Sequence, residues 1–264
     1  MSSRSAVRRL ARGADRLRPP PEGLVVLIYH RVGAGTASAV DLDTDVFRAQ
    51  MQQLAEQGTV ISLSAAVEAL QAGGRPTGVV ITFDDGAADF CDTAAPIMAA
   101  HGLPSTLYLV TSAPDAGVLP WGPPAASWQA LRDACSTGLV SVQSHTHDHR
   151  LLHTASAAEV ADQLDRSVAA IADQLGAAPA HFAYPKAIAG NRHARAAVAA
   201  RFQSAALAGH RVNRTTADLQ RLGRVPLSRH DDMITFLHKV GGGLRVEGLA
   251  RDAYDRVRFR TART

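Results

Sequence analysis

Cysteine is nearly absent from this chain, with only Cys91 and Cys135 among 264 residues. Two thiols permit one bridge but neither a disulfide framework nor a cysteine-based metal site, so a reducing compartment is allowed. Aromatic residues are also few, at 5%, and no apolar run approaches the roughly 18–20 residues that cross a bilayer. No Gly-x-Gly-x-x-Gly follows the first strand-like run, which argues against a dinucleotide-binding sheet. The first residues carry the positive charges of an export signal without its apolar centre. No signal peptide is therefore recognisable, and a cytoplasmic location is expected. Nucleic acid is not an expected partner, because the sequence holds no binding module or aromatic stacking motif for it.

What the chain does have begins with charge. The formal balance of +4 owes much to Arg4, Arg8, Arg9, Arg12, Arg16 and Arg18, all placed before Pro19–Pro21. On a helical wheel Val7, Leu10, Ala14 and Leu17 share one side and four of the arginines the other. Residues 1–21 thus read either as a disordered, solvated leader or as an amphipathic segment. The second form would lie on an anionic membrane surface, at its inner face.

From residue 22 to 264 the pattern is one of short buried strands alternating with helices. Leu24–Tyr29, Val79–Phe83, Thr106–Val110 and Leu139–Gln143 read as strands. Phe182–Tyr184 and Gln203–Leu207 read as shorter ones. A helix through Phe47, Met51 and Leu54 should stop at Gly58. Another should start at Ser156, with Glu159 completing a capping box, and end near Gly176. The stretch Ala113–Ala126, containing Trp121, reads as a long loop. Repeated strand–helix units imply an α/β fold, a parallel sheet covered by helices in one domain.

Two constellations carry chemistry. Thr82-Phe83-Asp84-Asp85-Gly86 follows a strand, where adjacent carboxylates point different ways as the strand ends. One can grip a metal while the other addresses a water, although a strand-to-helix turn capped by Asp has the same composition. Ser144-His145-Thr146-His147-Asp148-His149 follows another strand. A helical turn would put His145 and His149 on one side, and two imidazoles with one carboxylate make a catalytic metal triad with open positions. A polar, His-rich loop is the bland alternative. Both sets lie at strand ends and supply complementary ligands, and His147 and His153 read as neighbours.

These two motifs together resemble those of the polysaccharide deacetylase (NodB-like) family, over roughly Leu24 to Arg229. The resemblance implies a distorted (β/α) barrel, usually of seven strands, in a single domain. It implies Asp84 as general base and Asp85, His145 and His149 as ligands of one divalent metal, with zinc, cobalt or nickel all suited. Phe182-Ala183-Tyr184-Pro185-Lys186 resembles the third motif, so Tyr184, Pro185 and Lys186 are expected to wall the substrate groove. The Lys186 amide would help to hold an oxyanion. Many family members carry an arginine at the position of Ala183 that pairs with the base, and this chain lacks it. No Leu-x-His motif follows at the expected place. Instead Leu27-Ile28-Tyr29-His30-Arg31-Val32 resembles the Tyr-His segment of the circularly permuted biofilm-polysaccharide (poly-N-acetylglucosamine) deacetylases. That implies His30 as general acid, the alternative being that it packs beneath the site. Arg224, Arg229 and His230 lie where they could approach.

The expected activity is metal-dependent hydrolysis of acetyl groups from an N-acetylated sugar, as polysaccharide, oligosaccharide or lipid- or nucleotide-linked sugar. Two other readings stand beside it. One is a non-catalytic barrel that binds metal and carbohydrate. The other is a hydrolase of the same fold acting on another amide or on an O-acetyl ester.

Overall fold

A computed structural model describes residues 22–209 and 211–243. The basic segment 1–21 lies outside them. The strands are β1 (Leu24–Tyr29), β2 (Arg31–Val32), β3 (Asp41–Leu42), β4 (Gly78–Asp85), β5 (Ser105–Leu109), β6 (Val140–Ser144), β7 (His181–Ala183), β8 (Ser204–Ala208) and β9 (Leu222–Pro226). Seven of them close a barrel in the order β1-β4-β5-β6-β7-β8-β9. Every pair is parallel, including the β1–β9 pair that closes it. The remaining two form a small parallel sheet beside the rim.

The run LVVLIY is buried at every position, as a parallel strand covered on both faces requires. Alternation then sorts the two faces. Leu24 and Val26 with Val80, Tyr108, Ala183, Ala206 and Leu222 make the interior cluster. Val25, Leu27 and Tyr29 with Val79, Ile81 and Phe83 face outward into the larger cluster under the helices.

Helix α1 (Thr44–Gln57) buries Phe47, Met51 and Leu54 and ends at Gly58, which has φ 62°. Helix α2 (Leu63–Gln71) packs Leu63, Val67 and Leu70 against the interior cluster. It closes the end of the barrel where the strands begin. There the Ser64 hydroxyl meets His181 Nε2 at 3.1 Å, and His181 Nδ1 meets Ser204 Oγ at 3.0 Å. Three further helices follow, α3 (Ala95–Ala99), α4 (Ala113–Ala116) and α5 (Trp128–Ser136). Helix α6 (Ala157–Leu175) starts at the Ser156–Glu159 capping box and stops at Gly176, as its sequence demands. Helices α7 (Arg192–Arg201) and α8 (Met233–Val240) complete the described set.

The register sets the heights of the loops. Tyr29 pairs with Phe83, so His30 emerges level with Asp84. Asp84 and Asp85 pair with Tyr108 and Leu109, and Leu109 pairs with Ser144. His145 therefore emerges one position above, at the same rim. This is the end of a parallel barrel, beyond the strand C-termini, where active sites are built.

Candidate metal centre

Asp84 continues the inward-facing series Val80, Thr82, Asp84 on β4. Its carboxylate is almost fully buried and receives both ends of a guanidinium: Arg224 Nη1 donates to Oδ1 at 2.6 Å and Nη2 to Oδ2 at 2.8 Å. Arg224 is itself wholly buried. It starts deep in the barrel, level with Val26, crosses the Tyr108 ring at 4.9 Å and donates to Thr82 Oγ1 at 3.2 Å. Burial alone would raise the Asp84 pKa, but the charge and hydrogen bonds of Arg224, aided by His145, hold it at about 2. Asp84 is thus an ionised acceptor aimed at the barrel mouth.

Asp85 turns away at once. Its φ is 80°, a left-handed value that a β-strand residue does not keep, and Gly86 follows at 91°. A Cβ on Gly86 would run into the Leu109 side chain, so the turn that aims Asp85 needs glycine there. Burial, and then the neighbouring Asp84 charge, push the Asp85 pKa up to about 8. A carboxylate in that setting gains strongly from a cation.

The histidines arrive differently from the expectation. Residues 145–149 form bends, not a helical turn, and Thr146 and His149 have φ of 68° and 56°. The two left-handed residues fold the segment back on itself, which puts both rings on one side without a helix. Backbone hydrogen bonds fix the loop, from Thr111 N–H to Thr146 O at 3.3 Å and from Ser112 N–H to His147 O at 2.9 Å. Gln163 on α6 grips Asp148 through its backbone and side chain, at 2.9 and 2.8 Å.

His145 Nδ1–H donates to the Ala183 carbonyl at 2.7 Å, which leaves the lone pair of Nε2 free to ligate. That Nε2 lies 3.6 Å from Asp85 Oδ1, and His149 Nε2 lies 3.7 Å from the same oxygen. One ligand atom from each of Asp85, His145 and His149 falls within 4.8 Å of the others. Burial lowers the His145 pKa to about 4, and burial with the His145 charge lowers that of His149 to about 3. Both shifts favour the neutral ring, the form that ligates. Two neutral imidazole nitrogens and one carboxylate, convergent and half-open to solvent, fit a single divalent cation.

Other expected residues fall into two groups. His147 faces away, with Thr111 Oγ1 at 2.9 Å from Nδ1 and Arg166 at 2.6 Å from Nε2. His30 sits half-buried at the rim, and its Nδ1 is shut off without a hydrogen-bond partner among the described residues. Burial lowers its pKa, the Asp84 charge opposes that, and Arg224 adds to the lowering. In the third motif, Tyr184 and Pro185 are buried. Tyr184 packs edge-on against Phe182 at 5.0 Å, in the cluster under α6 and α7. Lys186 is exposed in a left-handed conformation, φ 52° and ψ 19°. Its backbone N–H donates no hydrogen bond among the described residues.

The residue that sequence reasoning left unplaced is Arg224. It supplies from β9 the guanidinium that Ala183 on β7 does not. Arg229 instead donates to the Thr36 carbonyl at 2.5 Å.

With this geometry established, the chain was compared with known proteins. The family model described as polysaccharide deacetylase matches residues 72–205, half of the chain. No curated protein sequence matches. Among solved structures, the Streptococcus pyogenes deacetylase PplD in complex with acetate is 20% identical, with a TM-score of 0.75 over 84% of this chain and 99% of that one. IcaB from Ammonifex degensii is 22% identical, with a TM-score of 0.70 over 84% and 97%. The BpsB deacetylase domain from Bordetella bronchiseptica is 23% identical, with a TM-score of 0.64 over 79% and 98%. At these identities the structures establish a shared fold.

Proposed function

Because the chain belongs to the polysaccharide deacetylase family, we propose that this carbohydrate deacetylase is metal-dependent and hydrolyses the acetamido group of an N-acetylated sugar, with Asp84 as general base. The observation that carries this reading is the pairing of unlike carboxylates. Asp84 is held ionised by Arg224, while Asp85 beside it converges with His145 and His149.

Asp85, His145 and His149 would hold one divalent cation, zinc, cobalt or nickel, which acidifies water and polarises the acetyl carbonyl. Asp84 accepts the proton of the attacking water at a carboxylate oxygen, while the Arg224 fork keeps it in place. The Lys186 N–H, which donates no hydrogen bond among the described residues, stabilises negative charge developing on the acetyl oxygen. His30 delivers a proton to the departing sugar nitrogen, and its hold on that proton depends on the charge of Asp84. The products are acetate and a free amino sugar. Pro185 and Lys186 border the groove.

Two variants test the assignment. Asp85→Ala should lose most of the bound metal seen by elemental analysis of wild type, near one per chain. Asp84→Asn should keep it and release acetate about a hundredfold to ten-thousandfold more slowly. Undiminished acetate release by Asp84→Asn, on a sugar that wild type deacetylates, removes Asp84 as base.

The basic leader supports a second, separate proposal, that the chain meets an anionic membrane surface through residues 1–18. Deleting them should weaken co-sedimentation with anionic vesicles, most clearly at low salt. Equal binding by the shortened chain ends that idea.

A further inference from the structure

Among the described residues Trp121 is the one exposed large aromatic, at 47%. An indole left in water forgoes the burial that makes aromatic residues useful to a core. Nothing about its loop is loose, however. Ala113–Ala126 was expected as an irregular loop, but it contains α4 and then a tight, paired tip. Leu119 N–H donates to Pro123 O at 2.8 Å, and Gly122 N–H to Leu119 O at 2.9 Å. Val118 and Pro124 bridge across the tip. Leu119 is buried against Ala87, Val110 and Ala113. The far side is tied by Ala126 N–H to Gly86 O at 3.0 Å and by Ala88 N–H to Pro124 O at 3.0 Å. The turn that aims Asp85 therefore also braces the Trp121 hairpin. Its ring centroid lies 4.7 Å from that of His149, tilted by 52°.

We propose that Trp121 is the platform on which the sugar ring of the substrate stacks, placing that sugar's acetamido group over Asp84, Asp85, His145 and His149. The inference rests on the deacetylase reading of the site and adds the residue that positions the sugar. A pyranose offers one face of C–H groups that suits a flat indole, while its substituents stay in water. A rigid hairpin makes the contact inexpensive, since the aromatic is ordered before the ligand arrives. Contact at the ring, remote from the bond that breaks, orients the reacting group.

The test uses zinc-loaded protein and pentamers of N-acetylglucosamine, β-1,4- and β-1,6-linked. Binding is followed by indole fluorescence and calorimetry in the Asp84→Asn background, so that turnover is not required. Trp121→Ala should weaken binding of the preferred pentamer about tenfold, and Trp121→Phe should recover most of it. In the background with Asp84 intact, Trp121→Ala should raise KM and lower kcat together, because the platform both holds the sugar and aims its acetamido group. Zinc per chain is measured for each variant. Equal affinity with and without the indole, or no binding of either pentamer, overturns the platform. So does loss of zinc in Trp121→Ala in step with the loss of binding, which would make Trp121 a support for His149. Trp121-dependent binding by a protein that never releases acetate from the pentamer would instead sink the deacetylase reading and leave the platform standing.

Discussion

The corner built by β4, β5 and β6 places Asp84, Asp85, His145 and His149 within a few residues of their strand ends. The side built by β7, β8 and β9 reaches the same cluster through one long side chain and through the Ala183 carbonyl that holds His145. Arg224 starts level with Val26 and reaches Asp84 from below. In the first region chemistry is local, set by left-handed turns at Asp85, Thr146 and His149. In the second it depends on the closure of the barrel, because β9 must pair with β1 before Arg224 lies beneath Asp84. Local chemistry tolerates drift in the rest of the chain, whereas a buried ion pair across the barrel ties the Asp84 carboxylate to the fold itself.

The largest effect should come from breaking that tie. Arg224→Met keeps much of the volume but leaves the Asp84 carboxylate buried and unpaired. Removing one partner of a buried pair costs about 3–5 kcal/mol, readable as a lower midpoint in urea unfolding. Acetate release should fall about a hundredfold, because Asp84 then holds its proton and no longer accepts one. The double variant Arg224→Met with Asp84→Asn should be markedly more stable than Arg224→Met alone, since the stranded charge is gone. Equal losses in the single and double variants would mean that Arg224 matters for packing and not for charge.

The same contrast explains what the sequence could reveal. Strand runs, the capping box at Ser156 and the paired motifs are contiguous, so periodicity and spacing expose them. The cluster of Asp85, His145 and His149 was legible even though the expected geometry was wrong. His145 and His149 converge through bends and not through a helical turn, and residue types at close spacing survive such an error. Arg224 was visible only as one of three nearby basic residues. Its inward direction follows from the parity of Leu222 and Arg224 on β9, and its height from the pairing of Val26 with Arg224. One signal was available: an arginine inside the otherwise apolar run LGRVP is a buried charge in search of a carboxylate. The short helices α3 and α4, and the two-residue strands β2 and β3, have too few residues for any period to show. The burial of Tyr184 against Phe182 was not legible, because a motif records which residues are near a site, not how each packs.

A smaller effect would sharpen the comparison. Ala183 lies in the interior cluster, at the position where the resemblance leads one to expect the guanidinium. Ala183→Arg should crowd a barrel that already holds Arg224 and destabilise it by about 1–3 kcal/mol. Combined with Arg224→Ala, which vacates the space, it should restore at least about tenfold of the activity that Arg224→Ala loses, a return of ~1.4 kcal/mol. That result would make the two positions alternative sources of one function. If the combination is no better than Arg224→Ala alone, the route from β9 supplies something that β7 does not.

The smallest effect concerns Lys186, where the second region meets solvent. A lysine with φ 52° bears a left-handed backbone that costs about 1–2 kcal/mol and that glycine adopts freely. Lys186→Gly should stabilise the protein by about 0.5–1 kcal/mol, the remainder being offset by the greater freedom of glycine in the unfolded chain. The backbone N–H assigned to the oxyanion stays in place, so kcat should change little. KM carries the information. A rise in KM would show that the exposed ammonium meets the substrate, and would favour a sugar whose neighbour or carrier is anionic. An unchanged KM would mean that only the Lys186 backbone contributes, and that the β7–β9 side acts on the substrate through main chain alone while Arg224 works behind it.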